Sequence, residues 1–85
     1  MKIIVQLFGA YRPFGEQVEI DLAQGAQVSD IREPFFAELQ LIDKNFNNKA
    51  LLDSSRFATK TEILSENAAL KNGDIIAIIP PVAGG

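Results

Sequence analysis

The sequence predicts an α+β fold, a mixed sheet of four or five strands with one main helix laid across one face. Three observations carry that prediction. Residues 2–8 and 16–22 are strand-like runs joined by a short connector holding Gly9, Pro13 and Gly15, the pattern of a hairpin. Val28, Ile31, Phe35, Leu39 and Ile42 then recur at steps of three and four, the period of one helix face. Last, Asp74 opens the run DIIAII, set off by Asn72-Gly73 and stopped by Pro80-Pro81, which cannot donate into a strand ladder.

Each element follows from local chemistry. In residues 2–8, KIIVQLF, Ile3, Val5 and Leu7 share one side, and Ile4, Gln6 and Phe8 share the other. In residues 16–22, Val18, Ile20 and Leu22 alternate with Glu19 and Asp21, so this strand has one wet face. Gly25 breaks the chain, and Ser29-Asp30 supplies a helix cap followed by an acid. The helix is predicted from about Ser29 to Gln40. Pro34 lies too deep for the first position of such a helix and would cost ~3 kcal/mol in its interior. It implies either a kink or a single turn followed by a helix restarting near Pro34. Residues 43–48 read as polar loop, with Asn47-Asn48 as turn chemistry. Residues 50–53 and 56–59 read as short strands. Residues 62–70 read as irregular, with a helical turn over 67–70.

The two faces of the sheet are unequal in an informative way. One helix covers only one face, so the other is expected to be polar. The last strand departs from this: Ile75, Ala77 and Ile79 share one face, and Ile76 and Ile78 the other. The first strand does the same, with Ile4 and Phe8 opposite Ile3, Val5 and Leu7. A partner surface gives this pattern. So does a loop folded over the patch, or a central strand buried twice.

Composition excludes whole classes of function. The 85 residues include no Cys and no His, so no thiol nucleophile, disulfide, zinc finger or imidazole base is available. The balance of 8 Lys+Arg against 11 Asp+Glu, net −3, argues against nucleic-acid binding. No apolar run approaches the ~20 residues a membrane helix needs, and no charged-then-apolar leader opens the chain, so a cytoplasmic location is expected. A chain of this size buries only about 60–65% of its unfolded surface, leaving no room for a cleft between domains. Arg12, Arg32 and Arg56 read as solvated charges or ordinary ion pairs, and Glu16, Glu19 and Asp21 as a wet strand face rather than a metal site. Tyr11 and Phe14 read as loop packing.

What remains is the end, Pro80-Pro81-Val82-Ala83-Gly84-Gly85. At average glycine usage a terminal Gly-Gly arises by chance about half a per cent of the time. The two prolines favour a stiff extended chain. Six extended residues reach up to ~20 Å, and glycines offer only backbone to a narrow channel. The expected division is therefore a folded domain over residues 1–79 and an extended tail over 80–85. The candidate reactive group is the Gly85 α-carboxylate, a poor electrophile until activated, for instance as an acyl-adenylate.

These residues resemble the MoaD/ThiS-type ubiquitin-like β-grasp sulfur carriers, most closely the small-subunit family of molybdopterin synthase. The resemblance is carried by NGDIIAIIPPVAGG from Asn72 to the end and by LFGAYR from Leu7 to Arg12. It implies a β-grasp fold and a carrier that binds no cofactor and consumes no ATP itself. An E1-like (MoeB-like) adenylyltransferase would activate Gly85 with ATP, and a sulfur donor would convert the adenylate to a thiocarboxylate. The tail, residues 80–85, would then enter a MoaE-like large synthase subunit in a two-plus-two heterotetramer. There Gly85 would deliver sulfur to the pterin precursor in molybdenum cofactor biosynthesis. By the same resemblance Phe8, Phe57 and Ile79 face the partner. A carrier for thiamine or tRNA thiolation would use identical tail chemistry, and a ubiquitin-like modifier would join Gly85 to lysines. The chain departs from the family at Pro34, at Ser54, where many relatives have Asn, and in a longer segment over residues 60–70.

Overall fold

In a computed structural model, which describes residues 1–81, the four strands form one mixed sheet in the order β2-β1-β4-β3. They are β1 (Lys2–Leu7), β2 (Gln17–Asp21), β3 (Arg56–Ala58) and β4 (Ile75–Ile79). Antiparallel pairing joins β1 to β2, with Val5 opposite Val18, and β3 to β4, with Phe57 opposite Ile78. The central pair, β1 and β4, is parallel, with Val5 opposite Ile76 and Leu7 opposite Ile78.

The turn at Asn72-Gly73-Asp74 sets that central register. Gly73, at φ +88°, takes the left-handed conformation that favours glycine. Its N–H bonds the Lys2 carbonyl at 2.7 Å, and the Asn72 Oδ1 accepts from the Lys2 N–H at 2.7 Å. The Asp74 carbonyl accepts from Ile4 N–H at 2.9 Å, so β4 enters already aligned with β1.

The helical layer begins with a 3₁₀ turn over Val28–Ile31 and continues as α1 (Arg32–Ile42). Of the two courses left open by Pro34, a turn followed by a second helical start is the one adopted. Pro34 is the third residue of α1, where an N–H has no intrahelical acceptor and its absence costs nothing. Ser29 does not cap this start. Gln27 and Asp30 form the cap instead, the Gln27 N–H reaching Asp30 Oδ2 at 2.8 Å. The Ser29 N–H goes to the Glu66 carbonyl at 2.8 Å. At the other end α1 runs two residues beyond the expected Gln40, because nothing breaks it before Asp43. The Asp43 N–H caps the Leu39 carbonyl, and its carboxylate takes the Asn45 N–H at 3.0 Å.

Residues 50–53 are not a strand. They lie in α2 (Lys49–Ser54), whose start is capped by Asn48 Oδ1 accepting from the Leu51 N–H at 3.0 Å. Lys, Ala and two Leu are strong helix formers, and only Leu52 of this run is fully buried, so a single helical face serves. Nor do residues 67–70 form a helical turn. Asn67 lies in a turn closed by the Ala68 N–H on the Ser65 carbonyl, and residues 68–70 run antiparallel to residues 26–28, with bonds from Val28 N–H to Ala68 and from Leu70 N–H to Ala26. Among the described residues no helix is long and apolar enough to cross a membrane.

Between sheet and helices lies one apolar core. Ile3, Val5, Leu7, Val28, Ile31, Phe35, Leu39, Phe57 and Ile78 are all fully buried there. Of the predicted helical stripe only Ile42, the last residue of α1, is half exposed. Phe35 meets Tyr11 and Phe57 edge to face at ring distances of 5.6 and 6.4 Å, geometries that add to the energy of burial alone.

Arg32 ties the peripheral elements together. Its guanidinium grips Glu66 with two bonds of 2.8 and 2.9 Å and donates to the Leu52 and Ser55 carbonyls at 2.6 and 2.8 Å. It also lies 5.1 Å from the centre of the Phe57 ring. The bonds from Arg32 hold the Glu66 carboxyl below the usual range, although partial burial works the other way. The lowered pKa means that this stabilisation is present above the unfolded carboxyl pKa and lost as pH falls through the folded one. Acid unfolding followed by circular dichroism is therefore expected to show a shallower loss of stability below about pH 4.5 in Glu66→Gln than in the native chain. Equal slopes would mean the pair adds nothing.

Candidate functional site

The outer face of the sheet, away from the helices, carries the feature that the alternation of β1 and β4 announced. Ile75 and Ile79 of β4 are 57% and 39% exposed, and Phe8, directly after β1, is 44% exposed. With Gln6 and Ala77 they line a hollow of about 670 Å³, bordered also by residues 58–61, including Lys60. No loop covers this face among the described residues. Its groups are suited to recognising an apolar surface and offer no acid–base pair. Glu19, on the neighbouring strand, faces Lys2 at 3.6 Å in an exposed ion pair.

Phe8 and Ile79 therefore lie together on one exposed face. Phe57 does not join them. It is fully buried, packed on Phe35 and under the Arg32 guanidinium, so the expectation that its ring faces a partner is corrected. The reason is strand parity. Phe57 pairs with buried Ile78, whereas its neighbour Arg56 pairs with exposed Ile79. The outward position on β3 thus belongs to Arg56.

The tail leaves from the same corner. Because β1 and β4 run parallel, Phe8-Gly9 at the end of one lies beside Ile79-Pro80 at the end of the other. Pro80 is half-buried and Pro81 exposed. Gly9, at φ +56°, comes so close to Pro80 that a Cβ there would sit 2.8 Å from the proline Cγ. The sequence marks Gly9 only as a turn residue; its contact with a residue seventy-one positions away has no local signal. Gly9 begins a 3₁₀ turn (Gly9–Phe14) whose anchor, Tyr11, is fully buried. The Tyr11 hydroxyl is 2.7 Å from Ser55 Oγ, which in turn donates to the Leu51 carbonyl. Burial pushes the Tyr11 pKa up, against the opposing pull of Ser55 and Arg32. Val82, Ala83, Gly84 and Gly85 lie outside the described residues.

The family model for the ThiS family matches residues 5–85, nearly the whole chain. The chain belongs to the ThiS family. Its fold is accordingly the ubiquitin-like β-grasp of MoaD/ThiS-type sulfur carriers, an α+β sheet with a helix across it. A comparison of the sequence with curated proteins finds no match. Solved structures are more informative. SAMP1 from Haloferax volcanii, a small archaeal modifier protein, superposes with a TM-score of 0.72 at 22% identity, covering all of both chains. A protein assigned as molybdopterin converting factor subunit 1 from Pyrococcus furiosus gives 0.66 at 26% identity, over 96% of this chain and 99% of that one. A complex of subunits 1 and 2 of molybdopterin-converting factor from Helicobacter pylori contains a chain that matches at 0.60 and 24% identity, with full coverage of both.

The opposite placements of the two phenylalanines give a direct test. Phe57→Ala is expected to lower unfolding free energy by about 3–5 kcal/mol, as for a large cavity in a core. Phe8→Asp should change it by no more than about 0.5 kcal/mol, as for a surface site. Urea unfolding of both variants measures this, and a large loss in Phe8→Asp would place that ring in the core.

Proposed function

We propose that this chain is the sulfur-carrier small subunit of a molybdopterin synthase, with Gly85 as its reactive residue. The observation that carries the reading is the exposed apolar hollow beside Phe8 and Ile79, next to the point where the chain leaves the sheet toward Pro80-Pro81. A docking face and a tail at one corner let a partner hold the folded body while receiving the terminus. The likeness to a subunit 1 at 26% identity, and to a chain of a complex of subunits 1 and 2, supports a MoaE-like large subunit as that partner.

The chemistry follows from the terminus. A carboxylate oxygen of Gly85 would bond to the α-phosphorus of ATP on an E1-like (MoeB-like) adenylyltransferase, and pyrophosphate would leave. A sulfur donor would then displace AMP from the acyl carbon, giving a thiocarboxylate. In the large subunit that sulfur would pass to the pterin precursor. ATP, donor and catalytic side chains all belong to partners, which suits a chain with no Cys and no His.

A second reading, a ubiquitin-like modifier joined through Gly85 to lysines, draws support from the likeness to SAMP1. Carriage of sulfur for thiamine or tRNA thiolation is the third, within the same family. Intact-mass measurement after co-expression with adenylyltransferase and sulfur donor separates carrier from modifier: an oxygen-to-sulfur increment on the chain marks the carrier, and lysine conjugates mark the modifier. Deleting Gly85 should abolish sulfur transfer without altering the melting curve, and retained synthase activity in the deletion would sink the carrier reading. Phe8→Asp should weaken large-subunit binding at least about tenfold, loss of a buried aromatic anchor costing about 1.4 kcal/mol or more. Unchanged affinity by calorimetry would move the docking face elsewhere.

A further inference from the structure

Gly9 is the residue that the reading above leaves without a role. It stands at φ +56°, in the region that favours glycine. A Cβ on it would lie 2.8 Å from Pro80 Cγ and 3.7 Å from Pro80 Cδ, the nearest atoms among the described residues beyond its own chain neighbours. The first distance is far inside van der Waals contact, so one of the two residues would have to give way.

The fold decides which. On one side of Gly9, Leu7 is fully buried and opposite Ile78 in the central parallel pair. On the other side, the Tyr11 N–H bonds the Phe8 carbonyl at 3.1 Å, and the buried Tyr11 ring is held by Phe35 and Ser55. Gly9 is thus fixed from both directions. Pro80 follows Ile79, the last residue of β4, is half-buried, and continues into exposed Pro81. A side chain at position 9 therefore displaces Pro80, and with it the direction in which the chain departs.

We propose that Gly9 is a positioning residue for sulfur loading: its missing side chain forms the seat on which the Pro80 ring rests, and that seat aims the C-terminal residues at the activating enzyme. This rests on the carrier reading. Docking through the outer face and aiming of the tail are then separable functions of one corner. Phe8 serves the first and Gly9 the second.

The test is ATP–pyrophosphate exchange catalysed by the cognate E1-like adenylyltransferase on the full chain. The native protein is compared with Gly9→Asn, Pro80→Ala and the double variant, with a melting curve for each. Asn tolerates the left-handed backbone better than other side chains, so Gly9→Asn adds a Cβ with little conformational penalty. It is expected to lower kcat between about tenfold and about a hundredfold, as misplacement by an ångström does, with KM within about twofold. Pro80→Ala removes the ring and should lower kcat similarly. In the Pro80→Ala background Gly9→Asn should then have no further effect. Equal loss in both backgrounds would show that Gly9 acts through general strain, and overturns the proposal. So does an unchanged kcat in Gly9→Asn, or a rise in KM alone. If Gly9→Asn fails to fold, Pro80→Ala carries the test, and native kcat in that variant overturns it. A native chain that is never adenylated removes the carrier reading, and this inference with it. One that is adenylated, with variants indifferent to Pro80, removes the inference only.

Discussion

The parallel pairing of β1 with β4 is the constraint from which the rest of the molecule follows. It puts the first and last strands at the centre of the sheet, each flanked on both sides. Central strands need apolar residues on the covered face, and here β4 and Phe8 supply them on the uncovered face as well. It also brings the ends of two distant segments to one corner. Phe8-Gly9 and Ile79-Pro80 meet there because parallel strands end on the same edge of a sheet. An antiparallel pairing would send the tail out at the opposite edge, away from the Gly9 turn.

That pairing needs a fixed start and a supported flank. The start comes from the Asn72-Gly73-Asp74 turn, which bonds to Lys2 and Ile4 before β4 begins. The flank comes from Arg32. Four hydrogen bonds from one guanidinium hold α2, the approach to β3 and the Glu66 segment against the helix start. A planar cation with donors in a fork can do this where a lysine could not. The Leu52 carbonyl, which also takes the Ser55 N–H where α2 ends, and the Ser55 carbonyl both gain a charged donor in Arg32.

The arrangement separates holding from reacting. Two side-chain ties, buried Tyr11 with Ser55 and partly exposed Arg32 with Glu66, join element to element. What faces outward is an apolar hollow of about 670 Å³ and a proline-led exit. Such an arrangement suits the proposed carrier, whose partners would dock on the surface and receive the terminus, and the chain's place in the ThiS family agrees with it.

The strands, the main helix and the turn before β4 were legible in the sequence because local pattern and tertiary environment agree there. Alternation in β1 and β4 marked two apolar faces, and Phe8 fell on the outer one by parity, while Ile79 was placed there by the family resemblance. Where neighbours overrule local pattern, the sequence misled. Residues 50–53 form a helix because Asn48 caps them and Leu52 alone needs burial. Residues 68–70 lie extended because residues 26–28 offer backbone partners. Phe57 points inward because its register against Ile78 puts it there, and no feature of a three-residue strand states its register in advance. The seat between Gly9 and Pro80 belongs to the same class. Composition determined that thiol and imidazole chemistry are unavailable to this chain, since no Cys or His is present. Only tertiary structure decided which glycine touches the exit of the tail, because that contact joins two strand ends that nothing but the sheet brings together.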